Sequence, residues 1–449
     1  MTLRVTPPPA DWFRIDWERT SATDLLGLTA PGYPHWDKLR HLDPPEGFTR
    51  EQWWSGLKLS RGTRSRKIPL TGTAGGLFTY TVPDSALRQL HLIDQRAAGE
   101  IRMPEVVTTD AQAQQKYIVN SLMEEAIRSS QLEGAGTSRR VAKEMLRTGR
   151  EPVDRSERMI RNNYRAMQYV REEMGDRLTP ADVLRLQAML TEGTLDDPTA
   201  SGRLQTPDEV RVCVVDRLDG GILHEPPPAA ELPARMDLMC AFANGETDDE
   251  DTFIHPVVRA ILLHLWLAYD HPFVDGNGRT ARVLFFWLLR KHGYWLAEYL
   301  SISKILREAP GQYQRAFLYS ETDENDATYF VLHQLDVIEK AIEDMHKYLR
   351  RKSAEVRSVE DLLRGGGGFN HRQIGLLSGA LRDDDRVYTF GQHARTHGVT
   401  HETARADLRD LADRELLDVE RLGRRYRFRP ARDLAARLKA LGDAAADRS

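Results

Sequence analysis

The sequence predicts a mainly α protein, and three observations carry that prediction. Apolar residues recur at helical spacing through most of the chain between residues 100 and 355. Helix-starting pairs punctuate those runs, as at Thr179-Pro180 and His255-Pro256. Two-residue alternation is confined to a few short stretches beside turn residues, so sheet should be limited to small hairpins.

At 449 residues the chain is long enough for two or three domains with cores of their own. Its 63 Lys and Arg against 67 Asp and Glu give a net charge of −4, which argues against wholesale attraction to nucleic acid or acidic membranes. Any DNA contact must then come from a local patch. Cys213 and Cys240 cannot build a disulfide framework and lack metal-ligand spacing, which fits a reducing, cytoplasmic setting. Residues 1–19 carry Pro7-Pro8-Pro9 but no apolar signal core. The greasiest run, Ala260 to Tyr269, falls far short of the roughly 20 residues a bilayer span needs. It reads as a core helix, and no membrane partner is expected.

Residues 1–98 form a mixed α/β region that holds Trp12, Trp17, Trp36, Trp53 and Trp54. Ile68–Leu70 and Phe78–Val82 flank Thr73–Gly76, a hairpin pattern. This region suggests no chemistry. Residues 99–355 form the helical block. Thr179 caps a helix with apolar Val183, Leu186 and Leu190, and Ile160, Tyr164 and Met167 mark another amphipathic face. His255-Pro256 opens a helix apolar nearly all round, and a second apolar helix runs through Val283, Phe286, Trp287 and Leu289 to Gly293. One stretch here looks extended: Val210, Val212 and Val214 alternate with polar residues, Asp219-Gly220-Gly221 turns, and Pro226–Pro228 ends the run.

Residues 356–369 are a linker containing Gly365–Gly368. From 370 to 432 the pattern is helix, short helix, turn at Gly398, and a helix capped by Thr400. Leu416, Leu417 and Val419 then lead through Gly423 to Tyr426-Arg-Phe428, a hairpin. That order is a winged helix, followed by a tail from 433 to 449.

Between the two buried helices lies His271-Pro-Phe-Val-Asp275-Gly276-Asn277-Gly278-Arg279, with Arg282 three residues on. Phosphoryl or nucleotidyl transfer needs a base, a metal, donors around phosphates and cations for the leaving group. His271 can accept a hydroxyl proton, and Asp275 can bind Mg²⁺. Gly276, Asn277 and Gly278 let backbone N–H groups approach an anion at a helix start, whose dipole favours negative charge. Arg279 and Arg282 can face the same phosphates. Singly, each residue is an ordinary core or turn residue; jointly, they point to a nucleoside triphosphate.

The run His271-Pro-Phe273-Val-Asp275-Gly276-Asn277-Gly278-Arg279-Thr-Ala-Arg282 resembles the signature of the Fic (Fido) family, with every fixed position present. The resemblance covers about residues 110–350. It implies a helical core that transfers AMP from ATP to a hydroxyl of a protein, with His271 as base and Asp275 as Mg²⁺ ligand. Gly276, Asn277 and Gly278 would hold the α- and β-phosphates, and Arg279 and Arg282 the β- and γ-phosphates. The extended stretch (about 208–228) resembles the family's flap, which clamps a target by strand addition. Tyr313, Thr328 and Tyr329 are adenine-pocket candidates by their position after the second helix.

Ser129-Ser-Gln-Leu-Glu133-Gly134 ends an amphipathic helix (about 115–134), with Ser129 and Glu133 on one face and Gly134 as its stop. Beside the central motif it resembles the family's inhibitory element. Glu133 would then pair with Arg282 and occupy the space of the γ-phosphate. In some members the same glutamate positions a water that removes AMP, and both roles stay open here.

The winged helix resembles a module often found after such domains. Arg421, Arg424, Arg425, Arg427 and Arg429 give its hairpin a basic edge. Asp383 to Asp385, Asp407, Asp410 and Asp413 offset that charge, so DNA binding and a protein-binding or dimerising role are equally open. The leading expectation is an autoinhibited protein adenylyltransferase with ATP and Mg²⁺. Its target would be a protein Tyr, Ser or Thr hydroxyl, including its own, and a homodimer is open. The alternatives are an AMP-removing hydrolase and a nucleotide-sensing transcription regulator.

Overall fold

The computed structural model describes residues 4–14, 21–97, 111–216, 218–248, 252–294, 300–364, 368–382, 386–422 and 425–446. The structure is mainly helical, with three two-stranded antiparallel hairpins among the described residues. The chain divides into two compact units, Met1–Ile101 with Ile118–Glu343, and Arg102–Tyr117 with Asp344–Ser449. The N-terminal region that the sequence sets apart thus folds within the same unit as most of the helical block. Gly365–Gly367, Asp383–Asp385, Gly423 and Arg424 lie outside the described residues, as does the boundary at 98–99.

The first unit begins with α1 (Ala22–Leu26), α2 (Trp36–Leu39) and α3 (Arg50–Gly62), then β1 (Arg66–Thr71), β2 (Leu77–Tyr80) and α4 (Asp84–Ala97). Trp36, Trp53 and Trp54 form a small core with Leu25, Leu28, Leu39 and Leu57. That cluster does not stand alone, because its polar neighbours find their partners far along the chain. Lys58 pairs with Asp323 at 2.8 Å, Tyr33 donates to Asp326 at 2.6 Å, and Arg61 donates to the Tyr329 hydroxyl at 3.0 Å. Burying these groups unpaired would cost several kcal/mol, on the order of 1–3 for each lost partner. This explains why the region joins the helical block.

The β1–β2 register runs Arg66↔Tyr80 and Lys67↔Thr79, then shifts before Thr71↔Leu77. Pro69 lies inside that interval and has no N–H for the ladder. The Thr79 backbone also exchanges hydrogen bonds with Asn325 and Ala327.

The helices that position the motif follow: α5 (Ala111–Leu132), α6 (Arg139–Thr148), α7 (Arg155–Glu172), α8 (Pro180–Thr191), α9 (Leu232–Asn244), α10 (Pro256–Asp270) and α11 (Asn277–Lys291). Thr179 and Asp182 form a capping box at α8, with Pro180 in its first turn. Helix α10 starts at Pro256, with the His255 side chain accepting from Val257 N–H. It is buried from Val257 through Leu267, and α11 from Arg279 through Leu289. Each large apolar side chain so buried contributes about 1.5–3 kcal/mol, which makes this pair the rigid centre of the unit. The predicted extended stretch is a short hairpin, β3 (Val214–Val215) with β4 (Ile222–His224). Helices α12 (Ile302–Glu308), α13 (Pro310–Thr322) and α14 (Thr328–Arg364) follow.

The second unit contains α15 (His371–Arg382), α16 (Phe390–His397), α17 (His401–Asp413), β5 (Leu417–Leu422), β6 (Arg425–Pro430) and α18 (Leu434–Ala446). Gly398 ends α16 at φ +63° and Thr400 caps α17. Leu376, Leu377, Leu408, Leu411, Leu416 and Phe428 make its core. Tyr388 pairs with Phe428 as a short third strand segment.

Candidate active site

The loop between α10 and α11 reverses the chain through two left-handed residues. His271 ends α10 at φ +43° with its N–H on the Leu267 carbonyl, and Gly276 starts α11 at φ +91°. A non-glycine residue held there costs on the order of 1–2 kcal/mol. Packing offsets that cost: Phe273 is fully buried, and Asn277 clamps it twice. The Asn277 Oδ1 accepts from Phe273 N–H at 2.9 Å, and its Nδ2 donates to Phe273 O at 2.7 Å. The Asn277 side chain is therefore spent on the loop itself, which leaves its backbone amide as the part that can meet a ligand.

The His271 Nδ1 lies 3.0 Å from the Val212 carbonyl. A carbonyl only accepts, so Nδ1 carries the proton and the neutral ring keeps its lone pair on Nε2. Burial first, then the neighbouring His224, push the His271 pKa down to about 4; the Val212 carbonyl and Glu133 oppose them in part. The ring is thus an unprotonated base across the neutral range.

Two residues that spacing did not single out fix this geometry. Arg211 donates through Nη2 to the Asp270 and His271 carbonyls (2.8 and 3.2 Å) and through Nε to Pro227 O (2.8 Å). It also pairs with Gln205, tying both arms of the hairpin segment to the histidine turn. Gln187 donates to Asp275 O at 3.0 Å and accepts from Gly202 N–H at 2.6 Å. They lie 60 and 88 residues from the groups they hold, His271 and Asp275, so no local pattern could have revealed them.

Asp275 accepts through Oδ1 from Gly276 N–H (2.5 Å) and Arg279 Nη2 (3.0 Å). Its Oδ2 lies 3.8 Å from Arg155, and the side chain is about a third exposed. Among the described residues no cluster of three His, Cys, Asp or Glu could hold a metal by itself. One partly open carboxylate suits Mg²⁺, which usually takes one or two carboxylates together with substrate phosphates.

The two arginines separate. Arg279 is fully buried, and its Nη1 donates to Leu190 O at 2.9 Å while Nη2 holds Asp275. Its guanidinium is turned toward α8 and braces the loop from within. Arg282 meets the end of α5 instead: Nε donates to Ser129 Oγ at 2.8 Å, and Nη2 donates to Ser129 O (3.2 Å) and Glu133 Oε1 (2.7 Å). Gly134, at φ +102°, turns the chain directly after Glu133. The Glu133 carboxylate also lies against Gly278, so closely that a Cβ there would overlap it.

Of the adenine candidates, only Tyr313 approaches the motif. It bonds His264 at 2.8 Å, and its hydroxyl pKa, raised chiefly by burial, is held down in part by Arg282. Thr328 instead bonds Thr81 N–H, and Tyr329 bonds Asp323 and Arg61. Both are buried, and these contacts hold them against the N-terminal region. Glu125 is a further buried group, with its carboxylate accepting from Ser301 Oγ, Ser303 N–H and Ser303 Oγ. Burial raises its pKa, and the serine hydrogen bonds and Arg282 oppose that rise.

Taken together, fold and loop define a helical protein whose central elbow gathers an imidazole, a carboxylate and the backbone amides of a helix start. Residues 177–289 match the model of the Fic/DOC family. It is similar to the protein adenylyltransferase Fic of Drosophila virilis, 34% identical over 131 residues, covering 29% of this chain and 24% of that protein. With its Drosophila melanogaster counterpart it is 38% identical over 89 residues, 18% of each. The chain thus spans about a quarter or less of the length of these curated relatives. Among solved structures, a Fic family protein from Desulfovibrio desulfuricans G20 aligns over 77% of this chain and 94% of its own, at 18% identity and TM-score 0.47. Fic-1 from C. elegans aligns over 59% and 72%, at 18% identity and TM-score 0.45.

Proposed function

We propose that the protein is a protein adenylyltransferase, transferring AMP from ATP to a hydroxyl side chain of a protein, and that Glu133 holds it in an inhibited state. The observation that carries this reading is the fixed tautomer of His271 beside the amides of Asn277 and Gly278. In the reaction, His271 Nε2 takes the proton of the target hydroxyl as its oxygen attacks the α-phosphorus. The new O–P bond forms as the bond to the bridging oxygen of the β-phosphate breaks, and pyrophosphate leaves with the electron pair.

The amides of Asn277 and Gly278 at the start of α11 receive the α- and β-phosphates, while Gly276, whose N–H is held by Asp275, lets the chain turn beneath them. Arg282 receives the terminal phosphates once Glu133 has left it, while Arg279 keeps Asp275 in place. Asp275 would hold Mg²⁺, which when bound neutralises phosphate charge. The β3–β4 hairpin, with exposed Val215, Leu218 and Ile222, would pair with an extended target segment. The inhibitory reading is supported by the Glu133–Arg282 pair at 2.7 Å, which takes the guanidinium a γ-phosphate would need.

The named function of the Drosophila relatives agrees with this reading. We assign the helical core to 99–355 and read 370–432 as a winged helix that docks DNA or a protein, including a second copy of this chain. The two cysteines, Cys213 and Cys240, are both free, which fits the reducing cytoplasm we propose as the setting. No described helix is long and apolar enough to cross a membrane.

The test is incubation with α-labelled ATP of the wild type, Glu133→Gly, and the double variant Glu133→Gly with His271→Ala. Label should enter protein strongly with Glu133→Gly alone. Equal labelling of all three, or none, would overturn the proposal. Label released from a pre-modified target by the wild type would instead assign Glu133 the AMP-removing role. A gel shift over a salt series tests the winged helix for DNA.

A further inference from the structure

We propose a second ligand site in the first unit, for a small monoanion with an apolar body, in a cavity of ≈ 480 Å³ between the N-terminal region and α10. No residue of the His271–Arg282 loop lines it, so it is separate from the candidate active site. Its volume falls within the 300–1,000 Å³ or so typical of small-molecule pockets. The floor is apolar, with buried Leu57, Leu90 and Val258.

Polar groups gather at one side, as Arg61, Arg64, Arg66 and Asp84. Their state decides the ligand's charge. Arg61 is already committed: it stacks 3.7 Å from the Tyr33 ring centre, donates to Pro34 O and the Tyr329 hydroxyl, and has Asp323 and Asp326 beside it. Arg66 spends Nη1 on Phe253 O at 2.8 Å. Arg64 makes no side-chain hydrogen bond or ion pair among the described residues and is exposed. His255, also on the wall, is held by Asp94 at 3.0 Å. Setting Asp84 against Arg64 and Arg66 leaves one unbalanced positive charge over an apolar floor. That complement is a single carboxylate or sulfonate head on an alkyl or aryl body, with arginine supplying paired donors to the head.

The probe is anilinonaphthalene sulfonate, titrated by fluorescence into the full chain, with far-UV circular dichroism confirming that each variant is folded. One saturable site per chain is expected. Arg64→Glu should weaken it about tenfold or more, the loss of a charge-assisted contact, and Ser60→Phe, which fills the cavity, should abolish it. Decanoate displacing the probe assigns an alkyl body and naphthoate an aryl one, whereas uncharged decanol should compete poorly. Non-saturable binding, binding unchanged in both variants, displacement by neither acid, or decanol competing as well as decanoate would each overturn the site. His271→Ala should bind the probe like the wild type, so this result stands apart from the transferase test.

Discussion

The Glu133 carboxylate lies 2.7 Å from the Arg282 guanidinium, with the same oxygen pressed against Gly278. One side chain therefore covers both a cation and the amide surface at the start of α11, the two features an incoming polyphosphate would use. The residues are 149 positions apart, and α5 and α11 must both be in place for them to meet.

Replacing Glu133 with Gln keeps the volume and removes the charge. ATP affinity should rise about tenfold, because the cation is no longer shared. Stability should fall by only about 1 kcal/mol, since Glu133 is about a third exposed even though Arg282 is buried. Isothermal titration with ATP and chemical denaturation measure the two; an affinity equal to the wild type's would remove the inhibitory role.

The depressed pKa of His271, about 4, has a kinetic consequence. In Glu133→Gly protein, the labelling rate should stay level from pH 8 down to about pH 5, without the fall near the ordinary value of about 6.5 that an exposed histidine base would give. A midpoint near 6.5 in the rate profile would contradict the half-buried, carbonyl-tethered ring.

Acid should also unfold the protein over a defined window. Burial lowers His264 to about 3 and His35 and His333 to about 4. Each folded pKa lies below the unfolded value, so the unfolded chain binds protons first as pH drops. The stability these rings contribute is whole above about pH 6.5 and is lost as pH falls toward 4 and 3. Urea midpoints at pH 7, 6 and 5 should decline in that order, and a flat series would reject it.

Asn277 and Arg279 brace the loop, so their loss should appear in stability. Asn277→Ala frees the buried Phe273 N–H and carbonyl and should cost about 2–4 kcal/mol. Arg279→Ala removes the donors to Leu190 O and Asp275 and should cost about 3 kcal/mol. His271→Ala, by contrast, should barely shift the denaturation midpoint while removing transfer. If Arg279→Ala were fully stable yet bound ATP poorly, the guanidinium would be a phosphate ligand after all.

In the C-terminal unit, Asp407 joins Asn370, Arg372 and His393 in one cluster. Burial pushes its pKa up, but the bonds from Arg372, Asn370 and His393 outweigh that and hold it at about 2. Asp407→Asn should loosen this unit by about 1–3 kcal/mol, read as faster amide hydrogen exchange across 371–413 in the full chain. Unchanged exchange would mean the cluster adds nothing to the core.

Much of this was legible from local pattern. The α10–α11 pair followed from apolar runs with Pro256 and Gly276 at their starts, the hairpins at 66–80 and 214–224 from alternation beside glycine turns, and the end of α5 from Gly134. Each depends on neighbours within a few residues, where backbone preference and side-chain period act directly. The motif's composition likewise pointed to an anion site, because its residue types and spacing lie in one continuous segment.

What the chain alone left undecided was which neighbour each side chain meets. Helical pitch puts Arg279 and Arg282 on adjoining faces, but packing sends the first to Leu190 and the second to Ser129 and Glu133. Thr328 and Tyr329 follow the second helix in order, yet the N-terminal region claims them because its half-buried Arg61 and buried Thr81 need partners. Arg211 and Gln187 became visible as braces only when distant segments closed on His271 and Asp275. Local sequence sets torsions and periodicity, whereas the choice among competing polar partners is made by long-range packing, which decides which donors and acceptors are buried together.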